Sequence, residues 1–98
     1  MNFIKDKYWK KRGSFSRIYK IYCVCGNYWI TYQKDGPGHL KRVYVDRISN
    51  WKNTIICKKC KLVFGYKIHY KEKRETYRIY RRKIVMKEIY DSRKMDRG

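Results

Sequence analysis

The stretches CVCGNYWITY (residues 23–32) and ICKKCKLVFGY (residues 56–66) contain all four cysteines of the chain, one pair spaced C-x-C and the other C-x-x-C. Cysteines this close on a tight turn can both point at one metal ion, and a second such turn alongside completes a tetrahedral set of thiolates. Gly26 follows the first pair, where the chain must bend with its amides facing sulfur. Lys58, Lys59 and Lys61 surround the second pair. Cations beside thiolates lower their pKa and offset the charge of a four-thiolate site. The spacing therefore predicts one Zn2+ per chain, bound by Cys23, Cys25, Cys57 and Cys60. An iron–sulfur cluster, two disulfides, a redox C-x-x-C and four unrelated thiols are the alternatives. With four thiols available, His39 and His69 read as an ordinary loop and an ordinary strand histidine.

Over residues 23–66 this pattern resembles the zinc ribbons, in which two cysteine knuckles lead into β-strands and share one ion. The first knuckle departs from the usual form in being C-x-C. The resemblance implies a mainly β fold, a small antiparallel zinc-ribbon-like sheet, with Cys23, Cys25, Cys57 and Cys60 as the ligands. It implies architecture more than function, because zinc ribbons serve many roles.

Composition explains why a metal staple is needed. The chain has 98 residues, enough for one small domain. Ile, Val, Leu and Phe total 21, and much of the remaining apolar content is eleven Tyr and three Trp, which carry polar atoms into any core. There is no Ala, the best helix former, whereas strand formers are abundant. A formal net charge of +19 opposes compaction. Metal binding to a site absent from the unfolded chain can return on the order of 10 kcal/mol to folding.

Along the chain, residues 1–16 read as a basic arm and 17–90 as a single β domain, with 91–98 a frayed tail. Residues 17–24 mix apolar and basic positions as a strand would. Residues 28–34 and 40–46 flank Asp35-Gly36-Pro37-Gly38-His39 and are predicted to form a β-hairpin with a long loop. Residues 47–54 read as a polar connection. Residues 61–70 are predicted to be a strand with Gly65 at a bulge. Residues 76–80 and 84–90 read as two more strands, Ile84-Val85 favouring strand over a basic helix.

The basic excess is spread along the chain: seven Lys/Arg against one acid in residues 1–20, eight against two in 34–61, and twelve against five in 67–98. A polyanion is the expected partner, with an anionic membrane surface as the rival. Lys10, Lys11 and Arg12 in the arm are candidate phosphate contacts. So are Lys34, Lys41 and Arg42 beside the glycine loop, Lys58 and Lys59 at the second knuckle, and Arg78, Arg81 and Arg82. Tyr28, Trp29 and Tyr32 are candidate stacking platforms for bases. Aromatic strands and spread charge suit RNA, rRNA included, better than DNA, which remains an alternative. The expected function is a zinc-stabilised RNA-binding protein, ribosomal or ribosome-associated. A zinc-ribbon transcription or polymerase-docking factor is one alternative. The other is a metal-dependent nuclease built on Asp35, His39 and Asp46. No apolar stretch reaches the length of a membrane span or a secretory leader, so a cytoplasmic location is expected. Oligomeric state is not legible.

Overall fold

The computed structural model describes residues 3–69 and 74–94. The mainly β, antiparallel expectation holds, with the strands divided between two three-stranded sheets. β1 (Ser16–Cys23) lies at the centre of the first, between β2 (Tyr28–Asp35) and β6 (Ile84–Asp91). β5 (Glu75–Ile79) lies at the centre of the second, between β3 (Arg42–Tyr44) and β4 (Gly65–His69). Every pairing is antiparallel.

The stretch of uncertain type, residues 76–90, is strand on both sides of a short 3-10 turn, Arg81–Lys83. β-Branched Ile84 and Val85 suit the pleated edge of β1, where they face Cys23 and Tyr22. Along β1 the buried positions Ile18 and Ile21 are separated by an odd step. The register against β6 shifts between Ile18 and Tyr19, and an irregularity of that kind moves the apolar set to the other parity.

The predicted hairpin of 28–34 with 40–46 does not form. β2 pairs with β1, and β3 pairs with β5 in the other sheet. The hairpin in this region is instead β1–β2, and its turn is the first cysteine pair. The Asn27 carbonyl accepts from the Cys23 amide at 2.8 Å, and Gly26 supplies φ +97. The Cys23–Asn27 turn commits one edge of β2 to β1, and the other edge bridges Ile48 at Tyr32. The glycine loop then carries the chain between sheets, with Gly36 and Gly38 at positive φ. A Cβ on Gly36 would lie 2.2 Å from the Arg12 carbonyl oxygen, so the loop and the segment before β1 are in backbone contact. Strands β2 and β3 still touch, because the buried Tyr32 hydroxyl accepts from the Tyr44 amide at 2.9 Å.

Gly65 is not at a bulge. It opens β4 opposite Ile79, and a Cβ there would lie 1.9 Å from the Arg78 carbonyl oxygen. Close backbone approach, not irregular register, is what demands glycine. Tyr70, the last residue of that predicted strand, lies outside the described residues, as do the arm's residues 1–2 and the tail's residues 95–98.

The segment read as a basic arm is held to the body. Asp6 caps the short helix α1 (Lys7–Lys11), accepting from the Tyr8 and Trp9 amides at 3.0 and 3.2 Å. The same carboxylate meets the buried Arg47 guanidinium at 2.6 Å, and Arg47 also meets Asp35 at 2.9 Å. Gln33 exchanges two hydrogen bonds with the Ile4 backbone. Arg47, in the segment read as a polar connection, is 3% exposed and pins the chain start to β2.

The core lies between the sheets. Ile21, Ile30 and Tyr32 of the first meet Val43, Tyr77 and Ile79 of the second, with Leu40 and Phe64 from the connections. Burying such side chains contributes roughly 1.5–3 kcal/mol each.

Candidate metal centre and nucleic-acid interface

Cys23 ends β1 and Cys25 sits in the turn to β2. Cys57 and Cys60 come from a second, rudimentary hairpin. There Ile56 bridges Val63, and the Cys57 amide donates to the Leu62 carbonyl at 2.8 Å. The residue after each pair has positive φ: Gly26 at +97 and Lys61 at +66. The two knuckles therefore share one backbone device, although the second uses lysine where glycine would be unstrained. Trp29 holds the knuckles in place. Its ring stacks on Phe64 at 4.2 Å, and its indole N–H donates to the Thr54 carbonyl at 3.1 Å.

All four Sγ atoms lie within 4.8 Å of one another, with Cys23–Cys60 at 3.5 Å and Cys25–Cys57 at 3.7 Å. No pair is bonded, since a disulfide needs about 2.05 Å. A tetrahedral ion with metal–sulfur bonds of ~2.3 Å requires sulfurs ~3.8 Å apart. The cluster fits that single-ion geometry and can hold a metal ion. Thiols spread around a multi-iron cluster would stand farther apart.

Amide donation tunes the sulfurs. The Cys60 amide, with help from that of Lys59, outweighs burial and lowers the Cys57 thiol to about 6. At Cys23 the Cys25 amide acts in the same direction, but burial and the neighbouring thiols prevail and raise it to about 12. Asn27 adds an Nδ2–H donor 3.8 Å from the Cys57 sulfur. Sequence reasoning missed Asn27; its place directly after the C-x-C-G turn was the available signal.

The candidate nucleic-acid residues separate by burial. Lys10, Lys11, Arg12, Tyr28, Lys41, Lys58, Lys59, Arg78, Arg81 and Arg82 are exposed, and Arg42 is half-buried. Tyr32 is in the core, with its hydroxyl engaged by the Tyr44 amide, so it is no stacking platform. Trp29 is committed to Phe64. Lys34 is buried, its ammonium donating to the Gly36 and Pro37 carbonyls at 3.2 Å each. Alternation alone does not say which face of β2 meets the second sheet, and Tyr32 and Lys34 share the covered face with Ile30.

Aromatic exposure falls elsewhere. Tyr66 and Tyr80 are 45% and 43% exposed, with ring centroids 5.8 Å apart, and Tyr66 is the cross-strand neighbour of Arg78. Arg78 in turn faces Arg42, and on the other sheet Lys20 faces Lys87.

The carboxylates proposed for a nuclease are engaged by cations. Asp35 meets Arg47, and Asp46 meets Arg74 at 2.7 and 2.9 Å. Among the described residues the cysteines form the one group of three or more His, Cys, Asp or Glu side chains placed to share an ion. No helix among them is long and apolar enough to cross a membrane.

Fold and site together define a small β protein with a four-cysteine cluster that could hold a metal ion, consistent with a zinc-ribbon-like class. Compared with protein-family models, curated proteins and solved structures, the chain finds no match.

Proposed function

We propose that the chain is a zinc-stapled RNA-binding protein of the cytoplasm, with ribosome association as the setting its composition suits. The observation that carries the reading is the placement of like charges directly opposite each other: Arg42 against Arg78, and Lys20 against Lys87. Such cross-strand pairs destabilise a sheet in isolation. In a chain of net charge +19 they add to a repulsion that a phosphate backbone would offset.

In this reading Zn2+ serves structure, held by Cys23, Cys25, Cys57 and Cys60. Arg78, Arg81 and Arg82 neutralise phosphates, and the exposed Tyr66 and Tyr80 rings beside Arg78 stack on unpaired bases. RNA is favoured over duplex DNA because α1, the sole α-helix among the described residues, spans five residues and is too short to read a major groove. A binding protein is favoured over a nuclease by the engagement of Asp35 and Asp46 with guanidinium groups.

The test is the affinity of zinc-loaded protein for single-stranded RNA across a salt series. With six to ten phosphates neutralised, affinity should fall roughly 10³–10⁵-fold between 50 and 200 mM salt. Replacing Arg78, Arg81 and Arg82 together with Gln should weaken binding to all sequences and flatten the slope by up to about three contacts. A flat salt response in the parent would overturn the reading.

A further inference from the structure

A second site lies at the other end of β2 from the cysteines, about 20 Å along the strand. Here the end of β2, the Gly36–Lys41 loop, the start of β3 and Arg12 enclose a cleft of about 260 Å³. Its lining includes Arg12, Lys34, His39, Lys41, Arg42 and Arg74. Among the described residues Asp35 is the sole carboxylate in the lining, and its oxygens are taken by Ser16, Gln33 and Arg47. Arg74 is bonded to Asp46 and its guanidinium lies over the Tyr8 and Tyr44 rings at 4.1 and 3.8 Å. It acts as a wall. Arg12 donates to the Tyr44 hydroxyl at 3.2 Å, and Lys34, His39, Lys41 and Arg42 line the rest of the cleft.

Lys34 shows that the site is built. Its amine is nearly buried, in a lining whose described residues hold one carboxylate, that of Asp35. The Gly36 and Pro37 carbonyls accept two of the three ammonium protons and leave one. Burial first, and then Arg17 and Arg12, pull this amine down to about 8. A buried cation among cations is costly unless an anion completes the set. The cleft is also pre-formed. Gly36 donates to the Phe15 carbonyl at 2.9 Å and fits against the Arg12 backbone, where any side chain would collide. An anion therefore finds its donors in place without ordering a loop.

We propose that this cleft binds a phosphoryl group, with Lys34, Lys41, Arg42 and Arg12 as its donors. A phosphate monoester carries up to two charges and presents three terminal oxygens, which suits a set of two ammonium and two guanidinium groups better than a carboxylate would. The RNA reading supplies the natural source, either a strand end or an internal phosphodiester, and the inference rests on that reading only for the source.

The probe is inorganic phosphate, titrated into zinc-loaded protein at constant ionic strength and followed by phosphorus NMR and thermal shift. Saturable binding is expected in the parent. Lys41→Gln with Arg42→Gln, both at accessible positions, should lower phosphate affinity by about tenfold or more per donor removed. The Arg78, Arg81 and Arg82 triple variant should bind phosphate like the parent. Oligoribonucleotides with 5′-phosphate and with 5′-hydroxyl ends then separate the sources. Tighter binding of the phosphorylated strand, lost in the Lys41/Arg42 variant, places a strand end in the cleft. Equal binding of both, weakened alike in that variant, places an internal phosphate there. Absence of saturable phosphate binding in the parent, or unchanged binding in the Lys41/Arg42 variant, overturns the site. RNA binding that survives with no phosphate binding would remove the cleft and keep the RNA reading. Phosphate binding with no RNA binding would do the opposite.

Discussion

Cys25→Ser separates a metal ligand from a mere thiol, because Cys25 is exposed. If the four cysteines were unrelated to a metal, swapping a surface thiol for a hydroxyl would change stability by no more than about 0.5 kcal/mol. For a domain of this size that is a shift of roughly 2–4 °C in Tm. As a ligand it behaves differently. Its sulfur lies 3.7 Å from that of Cys57 and belongs to a set whose members all lie within 4.8 Å. A structural zinc contributes on the order of 10 kcal/mol. That is comparable with the ~5–15 kcal/mol total stability of a small domain. Shared evenly among four ligands, the loss of one is about 2.5 kcal/mol, or roughly 10–20 °C. Val24→Ser is the internal control, since Val24 lies between the two cysteines and is 52% exposed. Calorimetry at fixed free zinc, with metal content by elemental analysis, reads both variants. Expected are a Tm near the parent for Val24→Ser and a large drop with zinc loss for Cys25→Ser. Equal Tm values for the two variants, with zinc retained, would refute the four-thiolate reasoning.

Gly65→Ala should destabilise the fold by about 2 kcal/mol or more, because its Cβ would stand 1.9 Å from the Arg78 carbonyl and force β4 away from β5. Hydrogen exchange should show lost protection at Tyr66–His69 first, and unchanged protection there would count against the pairing. Asp6→Asn keeps a competent helix cap while removing the charge that meets Arg47. The Arg47 hydrogen bond, opposed by burial, lowers the Asp6 carboxyl from 3.8 to about 2. A depressed carboxylate stabilises the fold above its unfolded pKa and loses that contribution as pH falls through the folded value. The parent should therefore unfold at higher temperature than Asp6→Asn above about pH 4, with the gap closing towards pH 2. A gap independent of pH would place the effect outside the ion pair.

The cysteine spacing, the strand character of residues 17–24 and 76–90, and the charge were legible in the sequence because each depends on near neighbours. Two cysteines on one turn share a direction whatever the rest of the chain does, and β-branched residues prefer a pleated surface locally. Strand partners were not legible in the same way. Alternation on both sides of Asp35–His39 looked like a hairpin. β2 instead took β1 as partner through the cysteine turn, and β3 was claimed by β5, more than thirty residues later. Burial followed from that choice: Tyr32 and Lys34 went inside because the second sheet covers their face, and the same packing closed the basic cleft around Lys34. The N-terminal segment shows the limit most plainly. Its run of Lys and Arg reads as a weakly ordered basic arm, yet Gln33 holds the Ile4 backbone and Asp6 meets Arg47, forty-one residues away and buried by the fold itself. Local chemistry decides what a residue can do, and only the assembled sheets decide which distant residue it meets and which face is left to water.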